Sequence, residues 1–485
     1  MKNKILFGAF ISGMVLMIFE MVGARIIGPY FGTSMYVWSS IIGVILGSLS
    51  LGYWFGGKQA DKKSSIKDFA RTFIIAAFTI LLVLILKDYI LYYIASYVKD
   101  IRLAAILSGI FLFSIPSFYF GIISPYSIKL IVQNVDETGS TSGKVYAIST
   151  LGSIVGTFLG GFLLVPLLGI NMVLIICITL MLLAGLLLFR SNFKEGLAIL
   201  VIGIGFNTYA NSFSNNKNSK TYISAYSNIT IYDALEVETN RPIRHMMIDN
   251  HLGSSKYLDS DELTHKYLKY FRLDNHINPN FKKTLMLGGA ACSYPNELIK
   301  RYEEIEVDIV EIDEKLIEIA HKDFGLPHDN RLNFFYEDAR TYLNNNVKKF
   351  DIIYVDAFNA LFAIPFQLTT IEAIQKIKNA LDVDGAVIVN LLSTKDNSKN
   401  HFLRAELATY KKVFEYVYLF EMNEKGTSNS IQNFCLVASN NPIKLNSTNS
   451  EINSYLSNLM KNYFPALEIL TDEKAPIEFY INKMF

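Results

Sequence analysis

Four acidic residues close apolar runs in the second half of the chain. Glu311 ends the run in "VDIVEID", Glu337 and Asp338 follow "LNFFY", and Asp356 ends "DIIYVDAF". A fourth run, "KKTLMLGGA", closes instead on Gly288 and Gly289. A glycine pair permits a tight turn and lets a ligand approach the backbone closely. An acid about 20 residues further on stands where a ribose-hydroxyl acceptor should be, and that position is held by Glu311. Asp356, alone at the end of a buried strand, can take a proton or anchor one positive group. Three positions later, where a second acid would complete a pair, the sequence has Asn359.

These residues need a frame that brings them together. From residue 281 apolar strands alternate with amphipathic helices: "KKTLMLGGA" then "SYPNELIKRY", "VDIVEID" then "EKLIEIAHKDF", "LNFFYEDAR" then "TYLNNN", "DIIYVDAF" then "TIEAIQKIKNAL", and finally "AVIVNLL". That alternation predicts a parallel sheet covered on both faces. Ligands bind at the carboxyl ends of such strands, so the glycines and acids fall on one edge. GxGxxG is absent, the text being "GGAACS". The order of strand ends nonetheless suits a nucleoside-bearing cofactor. Ahead of this region "YISAYSNITIYDA" and "IRHMMIDNHLG" alternate as strands do, which predicts a small β-rich subdomain over 222–280. The polar stretch 211–221 reads as a linker.

The first half is of another kind. The chain has 485 residues, 51% of them hydrophobic, with a net charge of +1, and the apolar share is concentrated in residues 1–210. A bilayer-spanning helix needs ~20 apolar residues. Runs at about 5–27, 36–57, 70–88, 103–125, 145–168 and 171–189 meet that need, and 196–210 is a seventh, shorter one. Lys58, Lys62, Lys63, Lys67 and Arg71 cluster between the second and third runs, whereas "GPYFGTSMY" before them is uncharged. The 57–71 loop and the N-terminus should therefore be cytoplasmic. Six spans would leave the second half in the cytoplasm and seven would put it outside. Glu20 and Arg25 lie in or at the edge of the first span, where charge is costly and points to a partner or a function. Gly43 and Gly47, Gly52 and Gly56, and Gly152, Gly156 and Gly160 suit close helix packing. The balanced charge gives no case for nucleic acid. Cys177, Cys292 and Cys435 are far apart and form no metal spacing, so no metal is expected.

The segments "LMLGGA", "VDIVEIDEKLIEIAHKDFGLP", "EDARTYL", "YVDAF", "IPFQLTT" and "DVDGAVIVNLL" resemble the spermidine synthase (polyamine aminopropyltransferase) family. "MIFEMVGARIIGPYFG", "LGYWFGGKQADKK" and "GKVYAISTLGSIVGTFLGGFLLVPLLGI" are similar to its membrane-fused branch, in which a multi-span domain comes first. The resemblance implies a helical membrane domain over 1–210 and a Rossmann-like, methyltransferase-like α/β domain over 281–485. It implies transfer of an aminopropyl group from decarboxylated S-adenosylmethionine to a small amine, with Asp356 accepting the amine's proton. Gly288, Gly289, Glu311, Asp338 and Ala339 would hold the adenosyl part: Glu311 at the ribose, Asp338 at the adenine amino group. Tyr226, Asp249, His265 and Asn359 would face the amine, with Tyr267 an alternative match to the family's Tyr-His pair. The implied setting is the cell membrane, with lipid around the first half, the soluble half in the cytoplasm and a homodimer as the assembly.

Departures from the family pattern carry chemical consequences. The glycine loop lacks the family's acid, Asn359 replaces a second one, and Ser227 stands where a Gln would follow the Tyr. Charge-assisted hydrogen bonds contribute ~1.5–3 kcal/mol each, so a diamine dication would lose several kcal/mol here. The alternative expectation is a nucleoside- or polyamine-binding domain, without turnover or with another substrate, coupled to a transporter-like membrane domain.

Overall fold

The structure, a computed structural model, describes all residues except 133, 190–192, 215–218, 358–363, 423–429, 462–463 and 485. It divides into two compact units, Met1–Ile229 and Thr230–Phe485.

The first unit is helical. It contains α1 (Lys2–Phe31), α2 (Met35–Lys62), α3 (Ile66–Tyr97), α4 (Ile101–Ile131), α5 (Thr138–Phe158), α6 (Val165–Leu188) and α7 (Phe193–Ser214). A π-helical turn, Leu159–Leu164, joins α5 to α6. Side-chain caps start three of the helices: Ser34 on α2, Ser65 on α3 and Asp100 on α4 accept from first-turn amides. Among the described residues five helical stretches are long and apolar enough to cross a membrane, the last being Val135–Leu188 with 54 residues. At 1.5 Å per residue that stretch would run ~80 Å, more than twice a hydrocarbon core. Gly169, at φ 73 and ψ 163, breaks it. The expected spans at 145–168 and 171–189 lie on either side of that break. The seventh run, 196–210, lies within α7, which is not among the five. The expected linker at 211–221 is replaced at both ends: α7 continues through Ser214, and strand β1 (Ser219–Ile223) begins before residue 221.

The second unit begins within β2 (Asn228–Leu235), which with β3 (Pro242–Ile248) and β4 (His251–Tyr257) forms consecutive strands of a small sheet. Helices α8 (Lys266–Phe271) and α9 (Asp274–Ile277) lead to the main sheet. That sheet contains β5 (Lys283–Leu287), β6 (Glu306–Val310), β7 (Leu332–Phe335), β8 (Phe350–Val355), β9 (Leu381–Ser393), β10 (Tyr416–Glu421) and β11 (Gln432–Ser439). Its order is β10-β11-β9-β8-β5-β6-β7. The five strands expected to be parallel are so, and the sheet extends beyond them. β5 to β9 pair in parallel, but β11 pairs antiparallel with both β9 and β10. Two strands that follow the last crossover helix close the edge as a hairpin, which needs no crossover.

The helices between these strands are α10 (Ser293–Arg301), α11 (Glu314–Asp323), α12 (Ala339–Asn345), α13 (Ile371–Ala380) and α14 (His401–Val413), and α15 (Ser450–Ser457) and α16 (Ile477–Asn482) follow the last strand. Side chains alternate across a strand, and both faces of this sheet are buried. Leu285, Leu287, Ile353 and Val355 pack with Leu343, Ile374, Phe402 and Ile481 of α12, α13, α14 and α16. Met286, Ile309, Ile352 and Tyr354 pack with Tyr270, Tyr294, Ile317 and Tyr455 of α8, α10, α11 and α15. Two covered faces leave the strand ends as the place for a ligand.

Candidate active site

The carboxyl ends of β5, β6, β7 and β8 enclose a cleft of about 360 Å³, within the ~300–1,000 Å³ usual for small-molecule sites. Gly288, Gly289, Glu311, Asp338, Ala339 and Asp356 all line it, together with Glu337, Ile248, Ile312, Leu316, Gln367 and Leu368. The strand-end residues are far apart along the chain, and the register of the parallel strands gathers them.

The glycine turn is tight. Gly288 has φ 78, and a Cβ there would lie 2.9 Å from the Asp356 carbonyl oxygen. Ala290 at φ 44 and Cys292 at φ 53 follow it in left-handed backbone, a conformation that non-glycine residues adopt at a cost. This curled backbone turns its amides inward. Gly289 and Ala290 N–H donate to Glu311 Oε2 at 3.3 and 3.4 Å, and Asp313 N–H donates to Oε1 at 3.2 Å. Burial pushes the Glu311 carboxyl up from its ordinary value, and those amides pull back against the rise.

Asp338 serves the fold and the cleft at once. Its Oδ1 caps α12 by accepting from Arg340 N–H at 2.9 Å and Thr341 N–H at 3.1 Å. Its Oδ2 accepts from Gln367 Nε2 at 3.3 Å. Arg340 holds the Gln367 carbonyl at 2.9 Å and pairs with Asp472 at 2.6 Å, so this wall of the cleft is tied to the C-terminal segment.

Asp356 is 6% exposed. Tyr267 O–H donates to Oδ2 at 3.1 Å and Asn390 Nδ2 to Oδ1 at 3.0 Å. Asn390, itself buried on β9, accepts at its own oxygen from Asn433 Nδ2 at 2.8 Å. The amide chain Asn433–Asn390–Asp356 crosses three neighbouring strands. Sequence reading assigned Asn390, Asn433 and Gln367 no role. A signal existed for Asn390, because a lone polar side chain inside "AVIVNLL" must be hydrogen-bonded if that strand is buried.

The residues expected at the amine sit differently. His265 is not among the described residues lining the cleft, but its ring stacks on Tyr267 with centroids 5.6 Å apart. Its Nε2 is buried without a partner, and burial pushes its pKa down to about 4, so it is neutral above that. Asp249 lies in the β3–β4 turn at φ 53, next to Ile248 of the cleft wall. Tyr226 belongs to the first unit, 52% exposed in the turn after β1. Asn359 falls outside the described residues. Cys292 is buried, and its thiol is pushed well above the ordinary range by that burial. Among the described residues no group of three His, Cys, Asp or Glu is placed to hold a metal.

Residues 264–447 match the family model for the spermine/spermidine synthase domain. By this match the part of the chain that holds the cleft is similar to a spermine/spermidine synthase domain. The chain is 24% identical over 443 residues to polyamine aminopropyltransferase 2 of Aquifex aeolicus, covering 84% of this chain and 83% of that one. It is 32% identical over 152 residues to the polyamine aminopropyltransferase of Vibrio vulnificus, covering 31% of this chain and 49% of that protein. With a probable polyamine aminopropyl transferase of Bifidobacterium longum it shares 29% identity over 38% of this chain and 42% of that protein, so it spans half or less of these last two relatives. Among solved structures, a probable spermidine synthase from Corynebacterium glutamicum is 22% identical over 51% of this chain and 88% of that one, with a TM-score of 0.42. Among the described residues, those lining the cleft run from Gly288 to Leu368, inside the matched segment, apart from Ile248 before it.

Proposed function

We propose that the synthase domain transfers an aminopropyl group from decarboxylated S-adenosylmethionine to an amine, with Asp356 accepting the amine's proton. The observation that carries this reading is the charge of the cleft. Glu311, Glu337, Asp338 and Asp356 line it, and no Lys, Arg or His is among its described lining residues. Four carboxylates and no cation favour positively charged reactants. A sulfonium and an ammonium fit that field, whereas the pyrophosphate of a dinucleotide would be repelled.

The steps follow from the residues in hand. Glu311 would accept from the ribose hydroxyls, and Asp338 from the adenine amino group in place of the Gln367 amide. The sulfonium-bound carbon of the propyl chain would then lie toward Asp356. An ammonium has no lone pair, so it loses a proton to Asp356 before its nitrogen attacks that carbon. The new C–N bond forms as the C–S bond breaks, and the electron pair leaves on sulfur as a neutral thioether. General-base catalysis is worth ~10²–10⁴-fold, while fixing amine and sulfonium in line can supply ~7–11 kcal/mol. Tyr267 and Asn390 contribute to the second effect by fixing the carboxylate.

The chain belongs in a membrane on the strength of its five apolar helical stretches. We place the synthase domain on the cytoplasmic side, where adenosyl sulfonium compounds are made. The acid-free loop Gly288–Ser293 favours an acceptor other than a short diamine, since that loop offers a second ammonium no carboxylate.

The test is product analysis. Purified full chain is incubated with decarboxylated S-adenosylmethionine and a panel of mono- and diamines, and thioether and alkylated amine are measured. Asp356→Asn should lower the rate ~10²–10⁴-fold and leave thioether binding intact. Binding of the thioether with no transfer to any amine would overturn the enzymatic reading in favour of a nucleoside-binding domain.

A further inference from the structure

The two faces of α2 differ. One is locked onto α4: a Cβ on Gly52 would lie 2.2 Å from the Phe118 carbonyl oxygen, and one on Gly56 2.7 Å from Ile122 Cα. Away from α4 the helix is open, since a Cβ on Gly43 or Gly47 would meet nothing within 4 Å. Gly47, Leu51, Trp54, Lys58 and Lys62 follow one another at helical spacing and so form one stripe. Leu51 and Trp54 are each 62% exposed. At Lys58 the stripe turns from apolar to cationic. The Lys58 ammonium stands 3.9 Å from the centroid of the Trp54 ring, a cation–π contact that marks the boundary.

The cationic end is dense and held in place. Residues 57–71 contain Lys58, Lys62, Lys63, Lys67 and Arg71, all exposed, against the two acids Asp61 and Asp68. Asp61 is already answered by Lys129 of α4 at 2.9 Å. Among the described residues none of these four lysines pairs with a carboxylate. The turn between α2 and α3 is pinned from beneath by buried Tyr126 of α4. Its O–H donates to the Lys63 carbonyl at 2.8 Å, and its oxygen accepts from Ser65 N–H at 3.2 Å. The Tyr126 ring stacks on Phe69 of α3 with centroids 5.5 Å apart. The lysine backbone is thus fixed at the surface and not strung on a loose loop.

We propose that the open face of α2, with the α2–α3 turn, binds a phospholipid whose headgroup carries net negative charge. Its acyl chains lie along Gly47, Leu51 and Trp54, and its phosphate accepts from Lys58 and Lys62. Clusters of about four to eight Lys and Arg beside a membrane helix recognise such headgroups. A zwitterionic headgroup brings an ammonium of its own, which the remaining lysines repel, so charge selects between the two. A second copy of the chain on the same face would set lysine against lysine, because a twofold contact pairs like with like. The proposal rests on reading α2 as a membrane span and is independent of the chemistry at Asp356.

The test uses Trp54 as its reporter. Trp38 and Trp54 are the two tryptophans of the chain, so Trp38→Phe leaves Trp54 alone. The full chain is reconstituted in phosphatidylcholine vesicles that hold a minor fraction of acyl-brominated phosphatidylglycerol or of acyl-brominated phosphatidylcholine. The anionic quencher should reach half-quenching at about a fivefold lower fraction than the zwitterionic one. Lys62→Gln combined with Lys63→Gln should bring the two curves together. Quenching by brominated phosphatidylcholine should not change in that variant, which shows that α2 is still folded and inserted. Equal quenching by both lipids in the unsubstituted loop, or a preference untouched by the double variant, would overturn the proposal. So would quenching by neither lipid, the result expected if protein covers the face. Release of the chain from the vesicles by alkaline carbonate would overturn the membrane reading, and the proposal with it.

Discussion

Asp356 receives a hydrogen bond on each oxygen from a neutral donor, Tyr267 on one and Asn390 on the other, so its direction is fixed. A carboxylate has about four acceptor sites, which leaves it able to take a proton while held. Asn390→Leu should release one side of it. The turnover number should fall about tenfold while the KM for the sulfonium substrate stays unchanged, because a positioning residue acts on the reacting geometry and not on binding. Asn390→Gln should recover part of the loss; equal damage to KM would mean that the strand end itself had been disrupted. A second buried acid behaves differently. Asp274 is fully buried and accepts from Tyr294 O–H at 2.6 Å and Tyr354 O–H at 2.7 Å. Burial outweighs those donors and raises its pKa from 3.8 to about 6. A raised folded value means that Asp274 contributes stability below pH 3.8 and that this is lost as pH rises through about 6. The loss should approach about 3 kcal/mol. Thermal melts of Asp274→Asn should lack that component, so the gap between variant and native protein should change between about pH 4 and 7. A constant gap would rule out a raised carboxyl there.

At the scale of elements, Gly288 is the joint between β5 and the cleft. Gly288→Ala would put a methyl against the Asp356 carbonyl and hold alanine at φ 78, with ~1–3 kcal/mol of strain. Thioether affinity should therefore fall about tenfold or more while the melting temperature drops by a few degrees, and unchanged affinity would show that the turn does not shape the site. This joint was legible in the sequence, as were the strands β5 to β9, because an apolar run of strand length that stops at Gly or an acid matches neither an amphipathic helix nor a loop. The cleft residues Glu311, Asp338 and Asp356 followed from the same pattern. What escaped was set by pairing and not by pattern. The antiparallel hairpin β10–β11 carries the same apolar signal as a parallel strand, so its direction could not be read. Asn433 matters only because β11 lies beside β9. Asp338 was legible as a residue at a strand end but also satisfies the amides that start α12, a role that emerges only once the helix start is fixed.

For the whole molecule the deciding matter is the side of the membrane. The positive residues of the 57–71 loop favour a cytoplasmic N-terminus, adenosyl chemistry calls for a cytoplasmic synthase domain, and the number of crossings decides whether both can hold. Gly169 turns the fifth apolar stretch into two segments, and α7 packs along α3 and α6, with Gly203 against Leu81 and Ile178, as a seventh. Arg25 near the end of α1 donates to the Ala225 carbonyl, which sets the chain after α7 on the side opposite the N-terminus, so the two placements exclude each other. The native thiols cannot report on this, because Cys177, Cys292 and Cys435 are all buried. That very burial makes a clean background for an introduced one. Val347, between α12 and β8, is 93% exposed, and a thiol there would have an ordinary reactivity. In cells producing Val347→Cys, a membrane-impermeant maleimide should label the protein only after permeabilisation. Val237→Cys, on a fully exposed residue in the same unit, should behave identically. Labelling of both in intact cells would place the cleft outside, away from any intracellular adenosyl sulfonium. The acidic cleft would then have to act on cations arriving from the medium, and aminopropyl transfer would no longer be the reading that fits.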